Sequence, residues 1–143
     1  MQSYPPLSTQ VIGQAESALG AIFDPLLART QTTFRQWLVL TVTAGSGGAM
    51  DRGQLVARIA GARKIPGAEV EAAIGELAEA GLVRTDGEVT LTEAGRVRHG
   101  QIRGTLEEIT GRLFDFPAED LATAGRVLAL VTARANAEIT GRG

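Results

Sequence analysis

Apolar side chains recur at helical spacing along most of this chain and alternate in only one short stretch. At the centre, Leu55, Val56 and Ile59 stand at i, i+1 and i+4, predicting a short amphipathic helix over 52–60 closed by Gly61. Lys64-Ile65-Pro66-Gly67 follows as a turn. Val70, Ile74 and Leu77 then recur at i, i+4 and i+7, giving a second helix over 68–80 with one buried stripe that stops at Gly81. Leu82-Val83-Arg84-Thr85 and Glu88-Val89-Thr90-Leu91 flank Asp86-Gly87, the sequence signal of a type I′ hairpin. Two helices followed by a hairpin predict a winged helix-turn-helix.

On the N-terminal side, 1–6 form a polar, Pro-containing tail, expected to be loosely ordered. Val11, Ala15, Ala18, Leu19, Ile22, Phe23 and Leu26 predict a helix over 7–28 whose apolar stripe is wide enough to be covered on more than one side. Pro25 is expected to bend or loosen its last turn. Thr30 is the expected N-cap of a helix over 31–43, with Phe34, Leu38 and Val42 on one face beside Trp37 and Leu40. Residues 44–48, Ala-Gly-Ser-Gly-Gly, predict a flexible loop.

Beyond the hairpin, Thr92 caps a long helix from Glu93 to about Phe114, with Ile102, Leu106, Ile109 and Leu113 on one face. Phe116-Pro117 breaks it. Pro117 in a first turn, followed by Glu119 and Asp120, starts a final helix to about Ile139, because the missing N–H is not needed there and acids favour that end. Leu121, Ala124, Leu128, Val131 and Ala135 line one face of it, widened by Val127 and Leu130. The fold class is mostly α with a small β-hairpin wing, in a single domain over 1–143. The winged helix-turn-helix occupies about 30–96. The helices over about 7–28 and 93–139 carry more apolar surface than such a domain needs for its own core, and that surplus predicts an oligomer interface.

Composition narrows the chemistry. The chain has 143 residues, 44% hydrophobic but only 4% aromatic, so its core is built from Leu, Val, Ile and Ala. Its formal charge of −2 argues against a strongly basic nucleic-acid coat while leaving a local basic patch open. With no cysteine, disulfides and Cys-ligated metal sites are excluded, and one histidine rules out a multi-His site. No Gly-rich phosphate loop follows a strand, so no catalytic constellation, cofactor or metal is expected. No apolar run approaches a membrane span, and the N-terminus lacks a signal pattern, so a cytoplasmic location is expected.

Several short stretches mark the order of these elements: Pro25-Leu26 and Phe34-Arg35 in the first two helices, and Gly81-Leu82-Val83 entering the wing. Leu91-Thr92-Glu93-Ala94-Gly95-Arg96 leaves the wing, and Phe116-Pro117-Ala118-Glu119-Asp120 opens the last helix. In that order the chain resembles the MarR family of dimeric bacterial transcription regulators over nearly its whole length. The resemblance implies a homodimer that binds double-stranded DNA at a pseudo-palindromic site, with a small-molecule pocket between the DNA-binding lobe and the dimerisation helices. Two departures bear on that. Where the family's second helix presents Ser, Thr and Arg, this chain offers Pro66, Gly67, Ala68, Glu69, Glu71 and Ala72. The wing is short, with Arg84 as its only basic side chain. From 66 to 80 the charges are Glu69, Glu71, Glu76 and Glu79, an acidic helix that DNA phosphates would repel.

Carried onto this sequence, the DNA-facing positions are Arg52, Arg63, Lys64, Ala68, Glu71, Ala72, Arg84 and Arg98, with Arg58 and Arg96 close by. Arginines and Lys64 would contact phosphates, and Glu71 would accept from a cytosine amino group. The plainer reading is a solvated surface on which arginines pair with glutamates. Phe23, Trp37, His99 and Phe114 are the residues expected to line a pocket for a small aromatic effector, beside the alternative that Trp37 is plain core and His99 an exposed helical histidine. The acidic second helix keeps a second function open: a winged-helix dimer that has lost ordinary DNA readout and serves as a protein-interaction or ligand-sensing module.

Overall fold

In the computed structural model, which describes residues 3–141, the chain forms helices α1 (Thr9–Ala28) and α2 (Phe34–Gly45), strand β1 (Ala49–Met50), and helices α3 (Arg52–Arg63) and α4 (Gly67–Glu79). Strands β2 (Val83–Arg84) and β3 (Val89–Leu91) follow, then helices α5 (Glu93–Leu113) and α6 (Ala118–Gly141). Residues 1 and 2 of the expected tail lie outside the described residues. The chain divides into two compact units, one reaching Leu106 and the other starting at Glu107.

In the first unit, one core gathers the apolar stripes of three helices and the wing. Val39 and Leu40 come from α2, Leu55 and Ile59 from α3, and Val70, Ala73, Ile74 and Leu77 from α4; Leu82, Val83, Val89 and Leu91 close it from the hairpin. Each fully buried Leu, Ile or Val contributes about 1.5–3 kcal/mol, so this cluster fixes how α4 is held. The buried stripe of α2 is Val39, Leu40 and Thr43, whereas Phe34 is exposed and Leu38 and Val42 are half-buried. The face expected from Phe34, Leu38 and Val42 is therefore the rim of the core, not its centre.

Helix ends differ from the sequence expectation in a consistent way. α1 runs through Pro25 to Ala28 and closes with Thr32 N–H on Leu27 O (3.0 Å) and Gln31 N–H on Ala28 O (3.0 Å), with Gln31 left-handed at φ 56°. Thr30 consequently belongs to that closure, and the N-cap of α2 is Thr33. Its hydroxyl accepts from Gln36 N–H (3.1 Å) while Gln36 Oε1 accepts from Thr33 N–H (3.1 Å), a complete capping box. α3 passes through Gly61 and ends at Lys64, left-handed at φ 57°, with Ile65 N–H on Ala60 O. The expected flexible loop over 44–48 is an ordered closure of α2, with Gly48 N–H on Thr43 O (3.0 Å). It leads into β1, a strand the sequence reading did not contain.

The sheet order is β1-β3-β2, antiparallel throughout. Val83 pairs with Leu91 and Arg84 with Thr90, a register centred on Gly87 (φ 122°), and Asp86 does not take the positive φ that a type I′ turn requires. The two-residue turn is thus not formed. Burial decides the register: Val83 and Leu91 lie opposite each other and both face the core, whereas the two-residue turn would set buried Val83 against half-exposed Thr90.

The wing is locked to α5 at its base. Thr92 donates from its hydroxyl to Gly81 O (2.7 Å) and accepts from Gly95 N–H (3.1 Å), capping α5 as expected. Pro117 sits just outside α6, its carbonyl accepting from Asp120 and Leu121 N–H. In the second unit, α6 contains no buried residue, and Leu121, Leu128, Leu130, Val131 and Ile139 are exposed. Among the described residues, no helix is long and apolar enough to cross a membrane, and no group of acidic or histidine side chains is placed to hold a metal ion.

Candidate nucleic-acid interface

Helix α4 is held by its buried stripe of Val70, Ala73, Ile74 and Leu77, so its helical period fixes what faces outward. Ala68, Ala72, Gly75 and Glu79, at i, i+4, i+7 and i+11, are all exposed. That strip has one charged side chain, at its C-terminal end. The other three glutamates lie on the flanks and are tied to neighbouring helices. Glu69 Oε1 pairs with Arg35 Nη2 of α2 at 2.9 Å, and Glu71 Oε2 takes both Nε (2.8 Å) and Nη2 (2.6 Å) of Arg52 from α3. Glu76 Oε1 accepts from Gln36 Nε2 at 3.0 Å. The acidity expected of this helix is thus matched from α2 and α3 along its first two turns.

The remaining basic residues are placed differently from one another. Arg63 lies over the Phe34 ring, 4.8 Å from its centroid, and with Arg35, Phe34, Leu38, Ile65, Ala62 and Glu16 it lines an open cleft of about 400 Å³. Lys64 Nζ donates to Gly61 O (2.7 Å), closing its own helix. Arg84 is exposed on β2. Arg98 is turned to the α1–α2 connection, its Nη1 donating to Thr30 O (2.8 Å) and lying 3.5 Å from Thr32 Oγ1. Arg52 and Glu71, chosen separately from sequence, are one ion pair. Arg35 was missed, because no local pattern marks a residue whose partner lies on another helix.

Of the four aromatic-pocket residues, the structure brings together Trp37 and His99, whose rings stack at 5.0 Å with 20° between planes. Burial pushes His99 below its ordinary value of 6.5, and the charge of Arg103 adds to the shift. Phe23 is half-buried on α1. Phe114 is exposed and lies in the second unit. A separate cleft of about 130 Å³ between the end of α1 and α5 is lined by Leu26, Arg29, Thr30, Gln101, Ile102 and Thr105.

Two helices in a turn arrangement, an exposed second helix and a three-stranded wing define a winged helix-turn-helix. No protein-family model and no curated protein sequence matches the chain. Among solved structures it is similar to ligand-free NadR, at 23% identity and a TM-score of 0.74 over 91% of this chain and 99% of that one. It is also similar to CouR from Rhodococcus jostii RHA1 bound to p-coumaroyl-CoA (17%, TM-score 0.71, 86% and 89%). A third match is the Mycobacterium tuberculosis MarR family protein Rv2887 in complex with DNA (17%, TM-score 0.69, 90% and 98%). The fold is that of the MarR-family regulators, as the order of sequence stretches implied.

Proposed function

We propose that the chain is a DNA-binding transcription regulator of the MarR type, acting as a homodimer on a pseudo-palindromic duplex. The observation that carries this reading is the way α4 is presented: a helix braced by a buried stripe, its outward strip free of bulky side chains from Ala68 to Gly75, with arginines on both flanks. A major groove about 12 Å wide admits such a helix, and phosphates line both of its walls. Half-sites would lie about 34 to 36 Å apart, one turn of DNA, because a two-fold dimer imposes its symmetry on the site. The exposed Leu121, Leu128, Leu130 and Val131 of α6 and, separately, the apolar stripe of α1 offer apolar surface for dimerisation. Rv2887, of the same fold, was solved with DNA, which supports the reading.

A small aromatic effector is part of the proposal. Trp37 stacked on half-buried His99 offers an aromatic wall, and CouR, of the same fold, was solved with p-coumaroyl-CoA. Trp37 is the only tryptophan, so its fluorescence reports that site directly. A saturable change on titration with aromatic acids is expected, and a flat response across a panel of them would remove the effector from the proposal. The outward strip of α4 favours a second reading as an interaction module, since Ala68, Ala72 and Gly75 carry no side-chain hydrogen-bonding group. Fluorescence titration with the duplex upstream of its own coding region and with random duplex, at about 50 mM salt, separates the two. Binding to neither would end the DNA-binding reading.

A further inference from the structure

The two arginine–glutamate pairs on α4 do not earn their place by stabilising the fold. Both partners of each pair are 40 to 48% exposed, and ion pairs so open to water add little to stability. What they change is the surface. By the helical period, Glu69 and Glu71 stand on opposite flanks of the strip Ala68-Ala72-Gly75, so Arg35 and Arg52 are held on its two sides. Each guanidinium has five N–H donors. Glu71 takes Nε and Nη2 of Arg52 and leaves Nη1 outside the pair, and Glu69 takes Nη2 of Arg35.

We propose that Arg35 and Arg52 are phosphate-binding arms that meet opposite walls of the major groove, and that Glu69 and Glu71 are positioning residues that aim them. This inference rests on the DNA-binding reading above. A carboxylate fixing one edge of a guanidinium leaves the other edge oriented for a phosphate oxygen, which two donors of a planar fork recognise better than a freely rotating charge. Each pair is neutral as a whole, so the flanks of α4 attract DNA weakly at a distance and act when a phosphate comes within reach. Glu69 and Glu71 thereby damp the long-range attraction of the duplex and in exchange aim the contacts that Arg35 and Arg52 make at close range. Glutamates that merely repelled the duplex would act independently of the arginines, and that difference is measurable.

The test is a double-mutant cycle on the full chain, read by fluorescence titration of a random-sequence duplex about three helical turns long, across about 50 to 200 mM salt. Arg52→Ala should weaken binding about tenfold and flatten the salt slope by about one unit per chain, and Arg52→Lys should restore the slope but only part of the affinity. Glu71→Gln in the wild-type background should leave affinity unchanged or lower it, because the loss of repulsion is offset by the loss of aim. In the Arg52→Ala background Glu71 is bare, and Glu71→Gln should raise affinity about fivefold. The same inversion is expected for Glu69→Gln with and without Arg35→Ala. The salt slope is a readout that a purely structural pair would not move, and circular dichroism should show all variants folded. If Glu→Gln raises affinity by the same factor in both backgrounds, or if Arg→Ala leaves the slope unaltered, this inference is overturned while the DNA-binding reading stands. If wild-type protein binds no duplex, both fall together.

Discussion

Gly95 is where the wing and α5 meet most closely, and its substitution gives a sharp test of the packing. A Cβ built there would collide with Leu82 O and stand 3.1 Å from Leu82 C, both backbone atoms. Leu82 is unable to retreat easily. Its N–H is bonded to Leu77 O (2.9 Å), its carbonyl accepts from Thr92 N–H (3.1 Å), and its side chain is buried. Gly95→Ala should gain about 0.5–1 kcal/mol from helix propensity. Against that stand overpacking, at about 1–3 kcal/mol, and loss of the Thr92–Leu82 hydrogen bond, at about 1 kcal/mol. The net expectation is a loss of about 2 kcal/mol. Gly100→Ala, on the same helix with nothing within 4 Å of its Cβ, has only the propensity gain. The two variants should therefore differ by about 3 kcal/mol, or roughly 10 °C in melting temperature, by calorimetry and urea unfolding. Gly95→Ala melting at or above Gly100→Ala would refute this account of the wing base.

Three further outcomes follow from named contacts. Thr33→Ala removes the hydroxyl that caps α2 and should cost about 1 kcal/mol in urea unfolding; no change would mean that the capping box is not formed in solution. Leu128→Asp places a charge on the exposed apolar face of α6 and should convert a dimer to a monomer in light scattering while leaving circular dichroism intact; a wild-type chain that is monomeric at micromolar concentration would sink the dimer. His99 takes a proton less readily in the folded chain than in the unfolded one. Its contribution to stability is thus full above about 6.5 and lost as pH falls through its lowered value, and His99→Gln should flatten that part of the pH–stability curve. An unchanged curve in the variant would count against the shift.

The apolar periods made most of the fold legible. Val70, Ile74 and Leu77, and Leu55 with Ile59, are buried where their spacing put them, and Thr92 caps α5. The ends were harder to read, for one physical reason. α1 and α3 close on left-handed Gln31 and Lys64, residues for which that conformation costs about 1 kcal/mol and which carry no sequence signal for it. A reading that expects glycine at such points stops α3 early at Gly61 and opens α2 early at Thr30. At Gly81, where φ is 77° and a glycine does occupy the closing position, the expectation held. The wing failed differently. Asp86-Gly87 is a local preference, and the burial of Val83 opposite Leu91 outweighed it; β1 was too short, at two residues, to show alternation at all.

The acidic character of α4 shows why a candidate site is less legible than a core. Read along the chain, 66–80 carries four carboxylates and no cation, which argues against DNA. In the folded chain the relevant sum runs across helices, and charges on different helices do not appear in any local window. Glu69 and Glu71 are each matched by an arginine, and Glu76 is hydrogen-bonded to a neutral glutamine. Glu79, on the outward strip, is the carboxylate left facing a partner, and it lies at the C-terminal end of α4. If α4 entered a groove by its N-terminal half, as proposed, Ala68 and Ala72 would come to the bases and Glu79 would stay farthest from them. The repulsion expected from composition is thereby reduced to Glu76, whose charge a neutral glutamine does not cancel, and Glu79, both in the C-terminal half of the helix. The two arginine pairs lie where the groove walls would be, and the sign of the local charge therefore gives no ground for excluding DNA as the partner of this surface.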